Sequence, residues 1–408
     1  MKFTIKLAWR NIFRNKRRTI IAGLAIAVGL AALIFTDALM LGMKDNLVRS
    51  ATASYLGEAQ IHRRGFRQSQ EVDQTVNNLP VVVAALKAEP AVERFTLRTA
   101  TFGMITSAAN VASVLFVGVV PETERSLSKV DDVIRSGTFF AGGGERELVI
   151  GSGLADLLEV GLGDRVVITV SQAHSGDLSQ EMFRVSGIYH FNVKEMDNGL
   201  AFARLPKAQQ MLGLAGGVHE IAIKFKDIRF ASQADSPFWQ KYSQDGNEAV
   251  SWTTLLPQLT KVMDMLWITL GLLAVILFGI VVFGIINTLF MSLYERMFEF
   301  GVIRAVGTRP SGVRKLVVCE AGALAALSIL MGSALGLILT FIVSRTGIDY
   351  RGIEFAGTNI YEMLYPVLHP RQFLIYPLAV FIFTIVVGLY PAVVASRMSI
   401  ADALRKSF

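Results

Sequence analysis

Four runs of almost uninterrupted apolar residues decide what this chain can become: residues 20–43, 266–293, 316–343 and 373–395. As helices rising about 1.5 Å per residue, each is long enough to cross a hydrocarbon core roughly 30 Å thick, where backbone polar groups must be satisfied within the segment itself. The residue balance agrees, with 52% hydrophobic and 18% charged residues over 408 positions. Soluble globular chains rarely combine such values. The first run follows a basic segment, as a secretory signal does, but it far exceeds the roughly 7–15 apolar residues of a signal and reads as a retained anchor.

The basic residues give an orientation. Lys2, Lys6, Arg10, Arg14, Lys16, Arg17 and Arg18 precede the first run with no acidic residue among them. Arg296, Arg304, Arg309, Arg314 and Lys315 lie between the second and third runs, and Arg397, Arg405 and Lys406 follow the fourth. Basic flanks stay in the cytoplasm, so segments 1–19, 294–315 and 396–408 are expected inside, and 44–265 and the short loop 344–372 outside. The fold class expected is an α-helical membrane protein with four transmembrane helices, N-in and C-in, carrying a large α+β extracytoplasmic domain between the first and second spans. The net charge of +7 sits largely beside membrane ends, where anionic headgroups attract it, and is weak evidence for nucleic acid. The sole cysteine, Cys319, lies in the third run, so the external domain must fold without disulfides.

Segment 44–265 is long enough for one mixed domain or two small ones. Short β-branched or aromatic runs at 147–150, 165–170, 183–188 and 220–225 predict strands, and 81–93, 153–159 and 207–214 predict helices. Where this segment meets the second span, Leu255, Leu259, Val262, Met263 and Leu266 fall at helical spacing. Leu259, Val262, Met263 and Leu266 are therefore assigned to a stalk, a helix continuous with the span that could carry motion across the bilayer. In the basic N-terminal segment, Ile5, Trp9, Ile12 and Phe13 form an apolar face suited to the interface.

Enzymatic signatures are missing. The chain has no Gly-x-x-x-x-Gly-Lys-[Ser/Thr], so any ATP-driven work needs an ATPase on another chain. The histidines His62, His174, His190, His219 and His369 show no metal-ligand spacing, and Gly151-Ser-Gly153 is not a nucleophile elbow. No catalytic, cofactor or metal residue is assigned. Asp37 and Glu320 are acidic groups within the first and third runs, each near an end. No span carries the string of acidic and His residues a proton relay requires. Gly332-x-x-x-Gly336 permits close helix approach, within the bundle or between copies.

Three motifs carry a family resemblance. They are Asn287 with residues 291–308 (Met-Ser-Leu-Tyr-Glu-Arg-Met-Phe-Glu-Phe-Gly-Val-Ile-Arg-Ala-Val-Gly-Thr), Glu320, and residues 390–405, beginning Tyr-Pro-Ala-Val-Val-Ala-Ser-Arg. Together with the topology, these resemble the MacB/LolC/LolE/FtsX permeases, the membrane subunits of type VII ABC transporters, over essentially the whole chain. Residues 57–62, 116–122 and 147–188 resemble the external domains of the same permeases. The resemblance implies that Glu295–Val306 is the coupling helix received by a groove on an ATPase, with Glu295, Arg296, Phe298, Glu299, Gly301, Val302, Arg304 and Gly307 as the coupling residues. Glu295 and Glu299 would share a face at i, i+4, beside an apolar stripe of Phe298, Val302 and Val306. Gly307 and Pro310 would end the helix.

By the same resemblance, residues 1–19 are an elbow helix, and the partners are two copies of a separate ABC ATPase, which binds the ATP and Mg. A second permease copy or paralogue, membrane lipids and a periplasmic adaptor or carrier complete the expected assembly, in the bacterial inner membrane. LolC-like permeases carry a proline-bearing hook loop that recruits a lipoprotein carrier; the corresponding loop here, about 172–182, is short and lacks Pro. MacB-type exporters usually carry a fused ATPase, so a split-subunit version is expected. The function implied is mechanotransmission acting on a lipoprotein or other envelope substrate. The alternatives are a MacB-like efflux permease with an adaptor and an FtsX-like regulatory scaffold for a periplasmic hydrolase.

Overall fold

A computed structural model describes Arg10 and residues 16–397, apart from 141, 351–353, 356–357 and 360–362. The apolar runs form four long helices. The first, α1 (Lys16–Ala51), leads into a π-helical turn at Thr52–Leu56. After the large insert come α2 (Pro257–Glu295), the short α3 (Met297–Ala305), α4 (Pro310–Thr346) and α5 (Gln372–Arg397). All four long helices meet the length and hydropathy required of a membrane span. At about 1.5 Å per residue, α2 is nearly twice as long as a hydrocarbon core is thick. The elbow residues Ile5, Trp9, Ile12 and Phe13 lie outside the described residues, as does the tail beyond Arg397.

The chain divides into two compact units. In the helical unit, Ile26, Leu30 and Ile34 of α1 pack with Val281 and Ile285 of α2, Ala321 and Leu324 of α4 and Val380 of α5. The Gly332–Gly336 pair is used within the chain. A β-carbon on Gly332 would lie 2.7 Å from the Ala27 carbonyl oxygen, and one on Gly336 3.3 Å from the Ala31 Cα. Absent side chains let α1 and α4 approach closely here. Asp37 is buried, and Tyr376 of α5 lies near it.

The second unit is a mixed α/β insert domain. Its strands are β1 (Ala59–Arg63), β2 (Val92–Thr106), β3 (Val111–Val119), β4 (Ile134–Gly137), β5 (Glu147–Gly151), β6 (Arg165–Ser171), β7 (Leu178–Tyr189), β8 (Leu200–Arg204), β9 (Glu220–Phe225) and β10 (Asn247–Ser251). They follow the order β10-β1-β9-β2-β3-β8-β5-β7-β4, and β6 pairs with both β2 and β7. That extra strand closes a circuit β2-β3-β8-β5-β7-β6, which removes edges there. Alternating inward residues, among them Ile105, Phe116, Ile150, Ile168 and Phe183, build the larger core. A second core gathers Tyr55, Phe139, Tyr189, Phe191 and Phe202.

Two expectations change. The predicted helix 81–93 is instead Leu79–Lys87, and Glu93 lies on β2; Pro90 cannot donate a backbone hydrogen bond, and the residue before it is pushed out of helical geometry. Leu255 is not continuous with the second span. It ends a separate turn, Trp252–Leu255, and Leu256 is non-helical before Pro257 starts α2. Leu259, Val262, Met263 and Leu266 lie on α2, with Leu259 and Met263 buried.

Candidate functional site

The segment after α2 does not form one helix from Glu295 to Val306. α2 ends at Glu295, Arg296 leaves helical geometry at φ −112° and ψ 15°, and α3 begins at Met297. Glu295 and Glu299 therefore belong to different helices, and the shared i, i+4 face is lost. Burial explains the break. Arg296 is 7% exposed, and its Nη1 donates to both oxygens of Glu320 on α4 at 2.7 and 2.8 Å. Its Nε donates to Glu299 Oε2 at 2.9 Å, and the guanidinium lies 5.1 Å from the Phe300 ring centroid. A continuous helix would have to place Arg296 by its own periodicity; the break lets it turn towards Glu320.

The consequence is a helix with two apolar faces. Met297 and Phe300 enter a core formed with Leu293, Val313, Leu316, Val317, Ala392 and Ala395, and Gly301 is buried beside them. Phe298, Val302 and Val306 are 49%, 41% and 83% exposed. At i, i+4 and i+8 they form a stripe on the opposite side. Glu299 turns inward to Arg296, so it helps place α3 as well as bordering its outer face. Gly307, at φ +105°, closes the helix, with its N–H donating to the Arg304 carbonyl at 3.0 Å. Sequence reading assigned the apolar stripe and Glu320 separately; their connection through Arg296 required a turn that no local pattern encodes.

A second organised site lies in the insert domain, at the end of α1. Arg98 on β2 is fully buried, bidentate to Glu124 at 2.7 and 2.9 Å and bonded to Glu220 on β9 at 2.6 Å. Tyr55, in the π-helical turn, lies beneath the guanidinium at 4.1 Å. Arg98 and Glu220 are direct cross-strand partners. Burial raises the Glu220 carboxyl despite its contact with Arg98, and the neighbouring Glu124 charge adds to the rise. The cluster fastens helix Pro121–Leu127 and the end of α1 to the sheet. Sequence reasoning missed it because its four residues are spread over about 165 positions.

On the outward face of the circuit, Phe102, Met104, Val111 and Met182 are each about half exposed or more. Register places Val111, Thr106, Val167 and Met182 in one row across β3, β2, β6 and β7. In the next row of β6 and β7, Arg165 stands directly opposite Arg184, both exposed. Like charges in that position are destabilising. Neither makes an ion pair among the described residues.

Ser152, His190 and Asp197 also meet. However, Ser152 Oγ and Asp197 Oδ2 both approach His190 Nδ1, at 2.7 and 3.0 Å. A catalytic relay requires the serine and the carboxylate on opposite ring nitrogens. Asp197 also accepts the Phe191 and Asn192 N–H groups, so the trio organises a turn.

Two family models match the chain. A MacB-like periplasmic core domain matches residues 19–235, and an FtsX-like permease C-terminal region matches residues 271–400. The lipoprotein-releasing system transmembrane protein LolC of Xylella fastidiosa strain Temecula1 is 24% identical over 300 residues, covering 71% of this chain and 72% of the relative. LolE of Haemophilus influenzae is 21% identical over 414 residues, covering 98% of each chain. Among solved structures, the periplasmic region of MacB from Actinobacillus actinomycetemcomitans aligns with a TM-score of 0.33 at 12% identity, over 49% of this chain and 92% of that one. The chain belongs to the FtsX-like ABC transporter permeases that carry a MacB-like periplasmic core domain.

Proposed function

We propose that this permease is a non-catalytic subunit that transmits the closure of two copies of a separate ABC ATPase to its insert domain, with α3 as the docking element. The carrying observation is the pair of apolar faces on α3, one packed against the helical unit and one exposed. An exposed stripe of Phe and Val flanked by charge fits a groove on a soluble partner. Arg296 then links that element to α4 through Glu320. ATP and Mg belong to the ATPase. The basic flanks support N-in, C-in placement in a bacterial inner membrane, with the insert domain in the periplasm and a second permease copy or paralogue completing the transporter.

The relatives LolC and LolE are named for lipoprotein release, which supports a lipoprotein or related envelope substrate. The sheet face bearing Met104, Met182, Arg165 and Arg184 supports engagement of an apolar, acidic surface on a periplasmic carrier or adaptor. An efflux role with an adaptor uses the same features. A regulatory scaffold for a periplasmic hydrolase remains the alternative, and the protein captured by the insert domain discriminates among them.

The test is a Phe298→Ser, Val302→Ser double variant reconstituted in lipid nanodiscs with the ATPase. Both side chains are exposed, so insertion and thermal stability are expected to stay unchanged while ATPase co-purification or substrate-stimulated hydrolysis is lost. Wild-type association and stimulation would remove α3 as the docking element. Glu299→Lys is a poorer probe, since it also removes a partner from Arg296.

A further inference from the structure

Beside the end of α1, within the insert domain, lies a cavity of about 530 Å³, within the roughly 300–1,000 Å³ of small-ligand sites. Its floor carries Glu58, which is only 7% exposed. Gly57, at φ +79°, brings the chain against β9, where a β-carbon would lie 3.1 Å from the Ile223 carbonyl oxygen. Glu58 is then fixed on three sides: its N–H donates to Ile223 O at 2.8 Å, its carbonyl accepts Trp252 N–H at 3.0 Å, and its Oε2 accepts Phe225 N–H at 2.8 Å. Oε1 meets no donor among the described residues. Burial pushes the carboxyl up to about 6, outweighing the Phe225 N–H and the Lys224 charge.

Four of the eight other charged residues of the lining are in ion pairs. Glu93 meets Lys224 at 3.4 Å, Arg125 meets Asp131 at 3.2 Å, and Asp227 meets Arg229 at 2.7 Å. Lys129 and Asp132 add one charge of each sign to the wall. At the rim, Arg49 and Lys226 are exposed and make no ion pair among the described residues. The lining thus combines a fixed, buried acceptor with two exposed cations, beside the exposed carboxylates of Asp132 and Asp227. A simple anion would meet Glu58, and a simple cation would meet Arg49 and Lys226 in the same lining.

We infer that this cavity binds a zwitterion carrying a primary ammonium and a nearby phosphate, the ammonium donating to Glu58 and the phosphate lying between Arg49 and Lys226. A primary ammonium supplies donors that the carboxylate can accept. A quaternary ammonium has none and is favoured by aromatic cages, whereas Phe225 is the only aromatic residue of the lining. The chemistry is that of phosphoethanolamine, either free or as a lipid headgroup. This inference does not depend on ATPase docking.

The test uses the full chain in detergent micelles, titrated with glycerophosphoethanolamine, glycerophosphocholine and glycerol phosphate. Glycerophosphoethanolamine is expected to bind at least about tenfold more tightly than the other two, the worth of one charge-assisted hydrogen bond. Glu58→Gln keeps an acceptor for Phe225 N–H and should abolish that preference; Arg49→Gln with Lys226→Gln should weaken glycerophosphoethanolamine and glycerol phosphate alike. No binding of glycerophosphoethanolamine, equal binding of the ethanolamine and choline probes, or an unchanged preference in Glu58→Gln overturns the assignment. Nanodiscs identify the source: phosphatidylethanolamine in the bilayer suppresses binding of the soluble probe if a lipid headgroup occupies the cavity, and leaves it intact if the ligand is free. Wild-type ATPase coupling in Glu58→Gln keeps this outcome separate from the transport reading.

Discussion

Arg296 and Glu320 form a buried, bidentate ion pair, with Nη1 2.7 and 2.8 Å from the two carboxylate oxygens. It joins the break between α2 and α3 to the body of α4. Glu320→Ala would leave a buried guanidinium without its main partner, at a cost of about 3–5 kcal/mol. Glu299→Ala removes a carboxylate that is 36% exposed, and after solvent screening should cost less than about 1 kcal/mol. Thermal unfolding of the two variants in nanodiscs measures the difference. Equal losses would mean that the pair is not what holds α3.

The Arg98 cluster gives a second asymmetry. Arg98→Met would strand Glu124 and Glu220 together in the core, with a loss of about 3–5 kcal/mol. Glu220→Gln should cost no more than about 1 kcal/mol, because a neutral acceptor still faces Arg98 and the carboxyl is already pushed towards its protonated form. Denaturant unfolding followed by circular dichroism compares them. Similar losses for both would refute the view that two carboxylates compete for one guanidinium.

His62 governs part of the acid response. Burial, reinforced by the charge of Arg67, lowers its ring to about 3. Gln60 Nε2 is committed to the Leu56 carbonyl, so Gln60 Oε1 accepts from His62 Nε2–H and the neutral ring is fixed. The folded ring stays neutral at pH 5 while the unfolded chain takes up a proton below about 6.5, so stability is lost as pH falls below that value. Wild type should therefore lose about 2 kcal/mol between pH 7 and pH 5 that His62→Asn retains. Glu58 acts with the opposite sign: its raised pKa favours the folded state below about 4.5, and this contribution fades as pH rises through about 6. A wild type and His62→Asn pair with parallel stability profiles would show that the ring is not buried as described.

How much of this was legible in the sequence depended on range. The four long helices followed from apolar length alone, and strands such as Arg165–Ser171 and Glu220–Phe225 from β-branched residues between turn signals. Phe298, Val302 and Val306 were legible because one helical period relates them. The break at Arg296 was not: it is produced by Glu320, 24 positions later. The same holds for Arg98, whose partners lie 26 and 122 positions away, and for the face of Met104 and Met182, set by β6 pairing with β2 as well as β7. Periodicity reports which side of an element is apolar, but long-range pairing decides what that side meets.

The stalk yields the last prediction. Val262 is the sixth residue of α2, which runs without interruption from Pro257 to Glu295. Its N–H lies past the first turn, where helical donors bond within the helix, so Val262→Pro removes an internal hydrogen bond and costs about 3 kcal/mol. If α2 carries motion as a rigid rod, the kink should uncouple its ends while the apolar span and α3 remain intact. Membrane insertion and ATPase co-purification are therefore expected at wild-type levels. In the assembly proposed above, what should disappear is the ATP-driven change in distance between labels placed on the insert domain and on the second permease copy or paralogue. Val262→Ala, which keeps the backbone bond, should preserve that change. A proline variant that is correctly inserted and still shows the full ATP-driven displacement would rule out transmission through α2.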